Sequence, residues 1–211
     1  MKKTFVLVVL FILPLVAYLF FASGVNNFGK LPILTEGVLD ITENIDKITF
    51  KDKITVLGFL GNNVELKKGN AFNLNQKIYK PFYEFNDFQM VMIMPVGTQE
   101  KVEELKAELG NLVDIKNWKF IFIEDEGIRA VFNSLKTNLS LDENLGTHYV
   151  FIIDKKKNLR GRTDDEEEVT KYGFKATSVA ELNNKMEDDV KIILAEYRMA
   201  LKKNNADRSN Q

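Results

Sequence analysis

Four short apolar runs separated by helical stripes constrain this chain more than any other feature. Ile54-Thr55-Val56-Leu57-Gly58-Phe59-Leu60 is β-branched and aliphatic, bounded by Lys53 on one side and Gly61-Asn62-Asn63 on the other. That is the profile of a buried strand ending in a turn. Ala71, Leu74, Ile78, Phe82 and Phe85 then recur at spacings of three and four, with Pro81 expected to bend or end the helix they mark. The alternation repeats. Phe88 to Met94 reads as a strand, and Val102, Leu105 and Leu109 mark a helix opened by Thr98 and Glu100. Lys119 to Ile123 is the next strand, followed by a helix with Ile128, Val131, Phe132 and Leu135 on one face. Thr147 to Asp154 is apolar on both faces, as a central strand between helix layers should be, and Asn158 to Arg162 reads as its hairpin partner. The pattern predicts an α/β sheet with helices on both faces and one hairpin edge.

Both ends of the chain carry a longer helical signal. Lys2 and Lys3 precede an almost unbroken apolar run from Phe5 to Ala22. Those roughly 18 residues rise about 27 Å as a helix, close to the hydrocarbon thickness of a bilayer. Residues 1–23 are therefore expected to be an N-terminal transmembrane anchor. The next charge is Lys30, so the positive-inside bias keeps the N-terminus in the cytoplasm and exports the rest. The rival is a signal peptide cleaved near Ala22-Ser23-Gly24, for which the apolar region is long. Residues 24–38 mix Gly, Asn and Pro without a period and suit a tether. Val179, Leu182, Met186, Val190, Ile193, Tyr197 and Leu201 repeat at spacings of three and four, a long C-terminal helix expected within residues 166–203, with a frayed tail over 204–211.

Composition removes whole classes of function. The 29 basic and 30 acidic residues nearly cancel, so no excess positive field exists to draw nucleic acid. Cysteine is absent, which excludes disulfides, thiolate nucleophiles, zinc thiolate sites and thiol redox cycling.

Three segments resemble the Sco/SenC family. Gly58-Phe59-Leu60-Gly61-Asn62-Asn63-Val64-Glu65-Leu66 is similar to its strand followed by a G-F-x-x-C-x-x-x-C turn, with Asn62 and Leu66 standing where the family has cysteines. Trp118 to Ile123 followed by Ile128-Arg129 resembles a second segment, and His148 to Asp154 followed by Asn158-Leu159-Arg160-Gly161 a third. The resemblance spans roughly residues 54–165. It implies a thioredoxin-like central mixed sheet over residues 39–165, a domain outside a cytoplasmic membrane (periplasmic), and a connection with copper delivery to cytochrome oxidase. In the family two thiolates and an imidazole hold copper; only the imidazole position is kept here.

His148 is the single histidine, so any imidazole-dependent chemistry rests on it. One imidazole without thiolates is a poor copper(I) site, and the bland alternative is a hydrogen-bonded residue at a strand entrance. Met90, Met92 and Met94 lie on one face of a strand, where thioethers can hold copper(I), but Val91 and Ile93 make the other face apolar too, as in a sheet core. Asp164 to Glu168 lacks the spacing of a calcium loop and reads as a solvated charged loop. No nucleophile, base and oxyanion cluster is visible. The expectation is a non-catalytic, cofactor-free, membrane-anchored module that assembles or scaffolds a respiratory complex, against the alternative of a copper-binding chaperone using His148 with Met or partner ligands. Met186, Val190, Ile193 and Tyr197 are the expected contact surface, toward a respiratory-complex subunit or a second copy.

Overall fold

The computed structural model describes residues 3, 9–16, 18, 29–41 and 47–209. Among these no helix is long and apolar enough to cross a membrane. The apolar run expected to be an anchor falls in part outside the described residues.

Among the described residues nine strands form in order: β1 (Ile33–Thr35), β2 (Ile54–Leu60), β3 (Phe88–Pro95), β4 (Trp118–Ile123), β5 (Gly146–Ile153), β6 (Leu159–Arg160), β7 (Arg162–Asp165), β8 (Val169–Lys171) and β9 (Phe174–Lys175). The main sheet runs β1-β6-β5-β2-β3-β4, with β9 also on β5. Strands β2, β3 and β4 are parallel, while β5 is antiparallel to β2, so the sheet is mixed. Every residue of β2 and β3 is buried, because helices cover both faces.

One face is closed by α1 (Val64–Leu74), α2 (Gln99–Gly110) and α4 (Glu187–Ser209), whose Ala71, Val102, Val190 and Ile193 pack on Val56, Met90, Met92 and Val150. The other is closed by α3 (Asp125–Ser134) and the strand-free segment around Val38, Ile41 and Phe50, over Leu57, Val91 and Ile153. Met90, Met92 and Met94 are fully buried members of the first core. The helix marked by Ile78 and Phe82 ends one residue past Pro81. A departure from α geometry comes earlier, in a π turn over Asn75–Tyr79 whose Asn75 accepts from Trp118 Nε1 (3.2 Å) and donates to the Leu109 carbonyl.

Three sequence expectations need correction. Residues 24–38 are not all tether, since β1 pairs with β6 and Val38 is wholly buried. The segment after Asp165 is not a single helix: β8 returns on β7, β9 joins the main sheet, and a helical turn and a π turn (Leu182–Met186) precede α4. The helix continues to Ser209, past the point at which a frayed tail was expected. The short polar strands responsible carry no period long enough to be read from sequence.

What joins these late elements to the sheet is charge. Arg160, 3% exposed, donates to Asp154 (3.0 Å, 2% exposed) and to Glu196 on α4 (2.7 Å), and also to the Leu31 carbonyl. Asp154 additionally accepts from the Lys156 and Asn158 backbone amides, both at 2.9 Å, closing the hairpin turn. Beside it burial, and then the negative charge of Asp154, push the Tyr197 hydroxyl up to about 12. Arg162 grips Asp189 with a fork geometry, and Lys185 holds the buried Asp165 at 2.9 Å, so part of the acidic run is an anchoring point rather than a solvated loop.

Removing one partner of a buried pair leaves an uncompensated charge, which costs about 3–5 kcal/mol. Arg160→Met is therefore expected to lower folding stability by about that amount in urea titration. A midpoint within error of the parent chain would show that the network does not hold the fold.

Candidate functional site

The turn after β2 is the place singled out by sequence, and its geometry follows from two glycines. Gly61 has φ +72°, and a Cβ there would lie 2.3 Å from the Asn144 carbonyl and 2.8 Å from the Gly146 nitrogen. A Cβ on Gly146 would meet Lys67 Nζ at 2.8 Å and the Leu60 carbonyl at 2.9 Å. Only glycine lets the loops before α1 and before β5 approach this closely. The approach is fixed by a hydrogen bond from the Asn62 amide to the Asn144 carbonyl (2.8 Å).

Each neighbouring side chain then has a defined task. Asn63 is the N-cap of α1, its Oδ1 accepting from the Leu66 amide at 3.4 Å. Leu66 itself is 68% exposed, while Lys67, one residue on, turns inward. The Lys67 side chain is only 3% exposed, and its ammonium lies 2.6 Å from Asp142. Asp142 also accepts from the Asn144 and Gly146 amides, both at 2.9 Å. Burial pushes the Asp142 carboxyl up, but the hydrogen bonds from Lys67 and Gly146 and the lysine charge outweigh it and hold the group below its ordinary value. One helical turn further, Asn70 Nδ2 lies 3.1 Å from His148 Nδ1.

Asn62 and His148 are at the same end of the sheet: Leu60 pairs with Gly146, and Asn62 bonds to Asn144. His148 is exposed and points toward α1. Asn70 lies within hydrogen-bond distance of it, and Met90, Met92, Met94 and Met186 are sealed in the core, so these residues do not make a copper(I) site. Among the described residues, no three His, Asp or Glu side chains converge. Met186, Val190 and Ile193 lie elsewhere, wholly buried against the sheet, which corrects their expected role as a contact surface. Periodicity shows that a face is apolar, and here the chain's own core takes it up. Tyr197 is half-buried, with Lys155 Nζ 5.4 Å from its ring centroid.

Sequence reasoning missed Lys67, Asp142 and Asn70. A signal for Lys67 existed: Val64, Lys67, Ala71 and Leu74 share one helical face, and a lysine in an apolar stripe asks for a buried partner. Asp142, 75 residues away, carries no such mark.

No protein-family model and no curated protein matches this chain. Solved structures do. A protein from Bacteroides thetaiotaomicron, named as a candidate protein disulfide isomerase, superposes with a TM-score of 0.51 at 14% identity, covering 81% of this chain and 98% of its own. A thiol:disulfide interchange protein of the thioredoxin family from Chlorobium tepidum TLS gives 0.46 at 18% identity, covering 78% and 96%. The soluble domain of Sco1 from Bacillus subtilis gives 0.44 at 16% identity, covering 77% and 94%. The fold is thioredoxin-like.

The depressed carboxyl of Asp142 fixes a pH dependence. Its pKa is lower folded than unfolded, so the stabilisation is complete above the ordinary value of 3.8 and is lost as pH falls through the folded value. Asp142→Asn should destabilise the chain at pH 7 by up to about 1 kcal/mol, a figure kept low because the carboxylate is partly solvated. Urea titrations repeated from pH 7 down to pH 2 should show the gap between variant and parent closing with acid; a constant gap would contradict the assignment.

Proposed function

We propose that this chain is a non-catalytic thioredoxin-like binding module held at the cytoplasmic membrane, with its domain on the outer side, where it acts as an assembly or scaffolding factor. One observation carries this reading. At the end of β2, where the resembled Sco/SenC turn carries its thiols, this chain places the buried ammonium of Lys67 against the partly solvated Asp142 and a backbone clasp between Asn62 and Asn144. A redox or metal site needs soft, displaceable donors at that point. This one is filled with hard, mutually satisfied groups, which stabilise the loops and leave the surface around His148 for protein contact. The respiratory connection rests on the sequence resemblance, and the anchoring on the apolar run after Lys2 and Lys3.

Copper(I) titration of the purified chain separates this reading from the copper-chaperone alternative. No site tighter than about micromolar is expected. Sub-micromolar binding abolished by His148→Ala would overturn the scaffold reading. Asn62→Cys with Leu66→Cys should raise copper affinity about a hundredfold, by adding soft ligands near the imidazole. Crosslinking in membranes, followed by identification of the captured subunit, tests the partner directly. The topology has its own check: a reporter fused after Gln211 is expected to work only if it functions outside the membrane, and activity of a strictly cytoplasmic reporter would refute the orientation.

A further inference from the structure

Charge is not spread evenly over the two ends of the sheet. At the end where β2 starts, three loops meet: the Asp52 amide bonds to the Lys155 carbonyl, Lys53 Nζ to the Asn86 carbonyl, and Lys155 Nζ to Asp87. Phe85, Asp87 and Lys155 line a hollow of about 260 Å3 together with Tyr197 and Arg198, so α4 belongs to the same surface. Lys51, Lys80, Lys156 and Arg198 are exposed on it, and Lys53 and Lys157 half-buried. None of the six has an acidic partner among the described residues. Against them stand Asp52, Glu84 and, on the β1 side, Glu36; Asp87 is neutralised by Lys155, and Asp154 and Glu196 share Arg160. Basic charge prevails.

Helix macrodipoles do not explain this. Lys51, Lys53, Lys156 and Lys157 lie in loops, whereas Glu65, Glu100, Asp125 and Glu126 at the opposite end stand in first helical turns and need no other cause. The chain also enters the domain at the basic end, where Arg160 holds the Leu31 carbonyl and the carboxylate of Asp154, in the turn of Lys155 to Lys157. Leu31 is eight residues from Ser23, a stretch that spans at most about 28 Å.

We infer that this end of the domain rests on an acidic phospholipid surface, with Lys51, Lys156 and Arg198 against lipid phosphates and Phe85, 44% exposed, at headgroup level. The inference rests on the anchoring proposed above, which keeps such a surface within reach. Attraction of this kind fades within about 8 Å at physiological salt, so the short connection matters. Asn62 and His148, at the other end of the sheet, then face away from the membrane, toward a partner.

The chain has no cysteine, so one introduced thiol carries one probe. The full chain is reconstituted in vesicles with an environment-sensitive fluorophore on Asn86→Cys. Its emission should shift to the blue, and be shielded from acrylamide, in phosphatidylglycerol–phosphatidylcholine vesicles but not in phosphatidylcholine alone, and added salt should reverse both. The same probe on Glu143→Cys, at the opposite end, should not respond. Lys51→Gln or Lys156→Gln should each lower the ratio of docked to free domain about fivefold, and the pair about twenty-fivefold. Both lysines are exposed, and circular dichroism checks that the variants are folded. Equal readings in the two kinds of vesicle would overturn the inference, as would shielding at position 143 in place of 86 or shielding that survives both substitutions. Shielding of position 86 in native membranes but not in acidic vesicles would also overturn it, and would assign the surface to an acidic protein. Alkaline carbonate extraction tests the anchor separately: release of the chain refutes the anchoring, while the two probes still decide whether the basic end binds acidic lipid.

Discussion

The buried guanidinium of Arg160 is the constraint on which the architecture turns. It reaches three pieces of chain far apart in sequence: the turn carboxylate Asp154, the Leu31 carbonyl before β1, and Glu196 on α4. Placing a guanidinium and a carboxylate out of water is costly, and the cost is offset only when nearly every donor and acceptor is satisfied. That condition makes the arrangement specific. An α4 slipped by one residue, or a β1 displaced along β6, leaves a charge unpaired in a low-dielectric site, whereas a purely apolar contact would tolerate the slip. The burial of Met186, Val190 and Ile193 supplies most of the driving force for docking the helix, and Arg160 with Arg162 sets its register.

The same device recurs at the opposite end of β2, where the Lys67–Asp142 pair ties α1 to the loop before β5. A thioredoxin-like sheet brings these two segments together whatever residues they carry, because β2 and β5 are neighbours and α1 starts where β2 ends. In this chain the juxtaposition is used to lock loops. The lock also explains the inward turn of Lys67 next to an exposed Leu66: the helix is rotated so that the ammonium, not the apolar side chain, faces the loop.

How much of this was legible in the sequence depended on range. The strands β2, β3, β4 and β5 could be read because each is mostly apolar and short, and the cores of α2 and α3 because their apolar residues keep a helical period. The stripe of α4 was equally visible, but a period says only that a face must be covered; what covers it is decided by tertiary packing. Strands β1 and β9 are three and two residues long and rely on β6 and β5 for their definition, so no local pattern marks them. For the candidate site, Asn62 and His148 were found by resemblance, while the pair that fills the site was not. Lys67 broke an apolar stripe and could have been questioned; Asp142 sits in an irregular polar stretch where one carboxylate resembles the next.

A chain without cysteine has to fasten its late elements by means other than disulfides. Here opposite charges take that part. Lys171, fully buried, has its ammonium 3.0 Å from Glu181 and 3.2 Å from Glu168, in ion-pair contact though off hydrogen-bond geometry, and Lys185 and Arg162 close Asp165 and Asp189 within the same region. All of these contacts except Lys171–Glu168 join the β7–β8 hairpin to the helical segment that follows it. A disulfide would restrict the unfolded chain and hold whatever the neighbours do; a buried ion pair acts only in the folded state and only in one geometry.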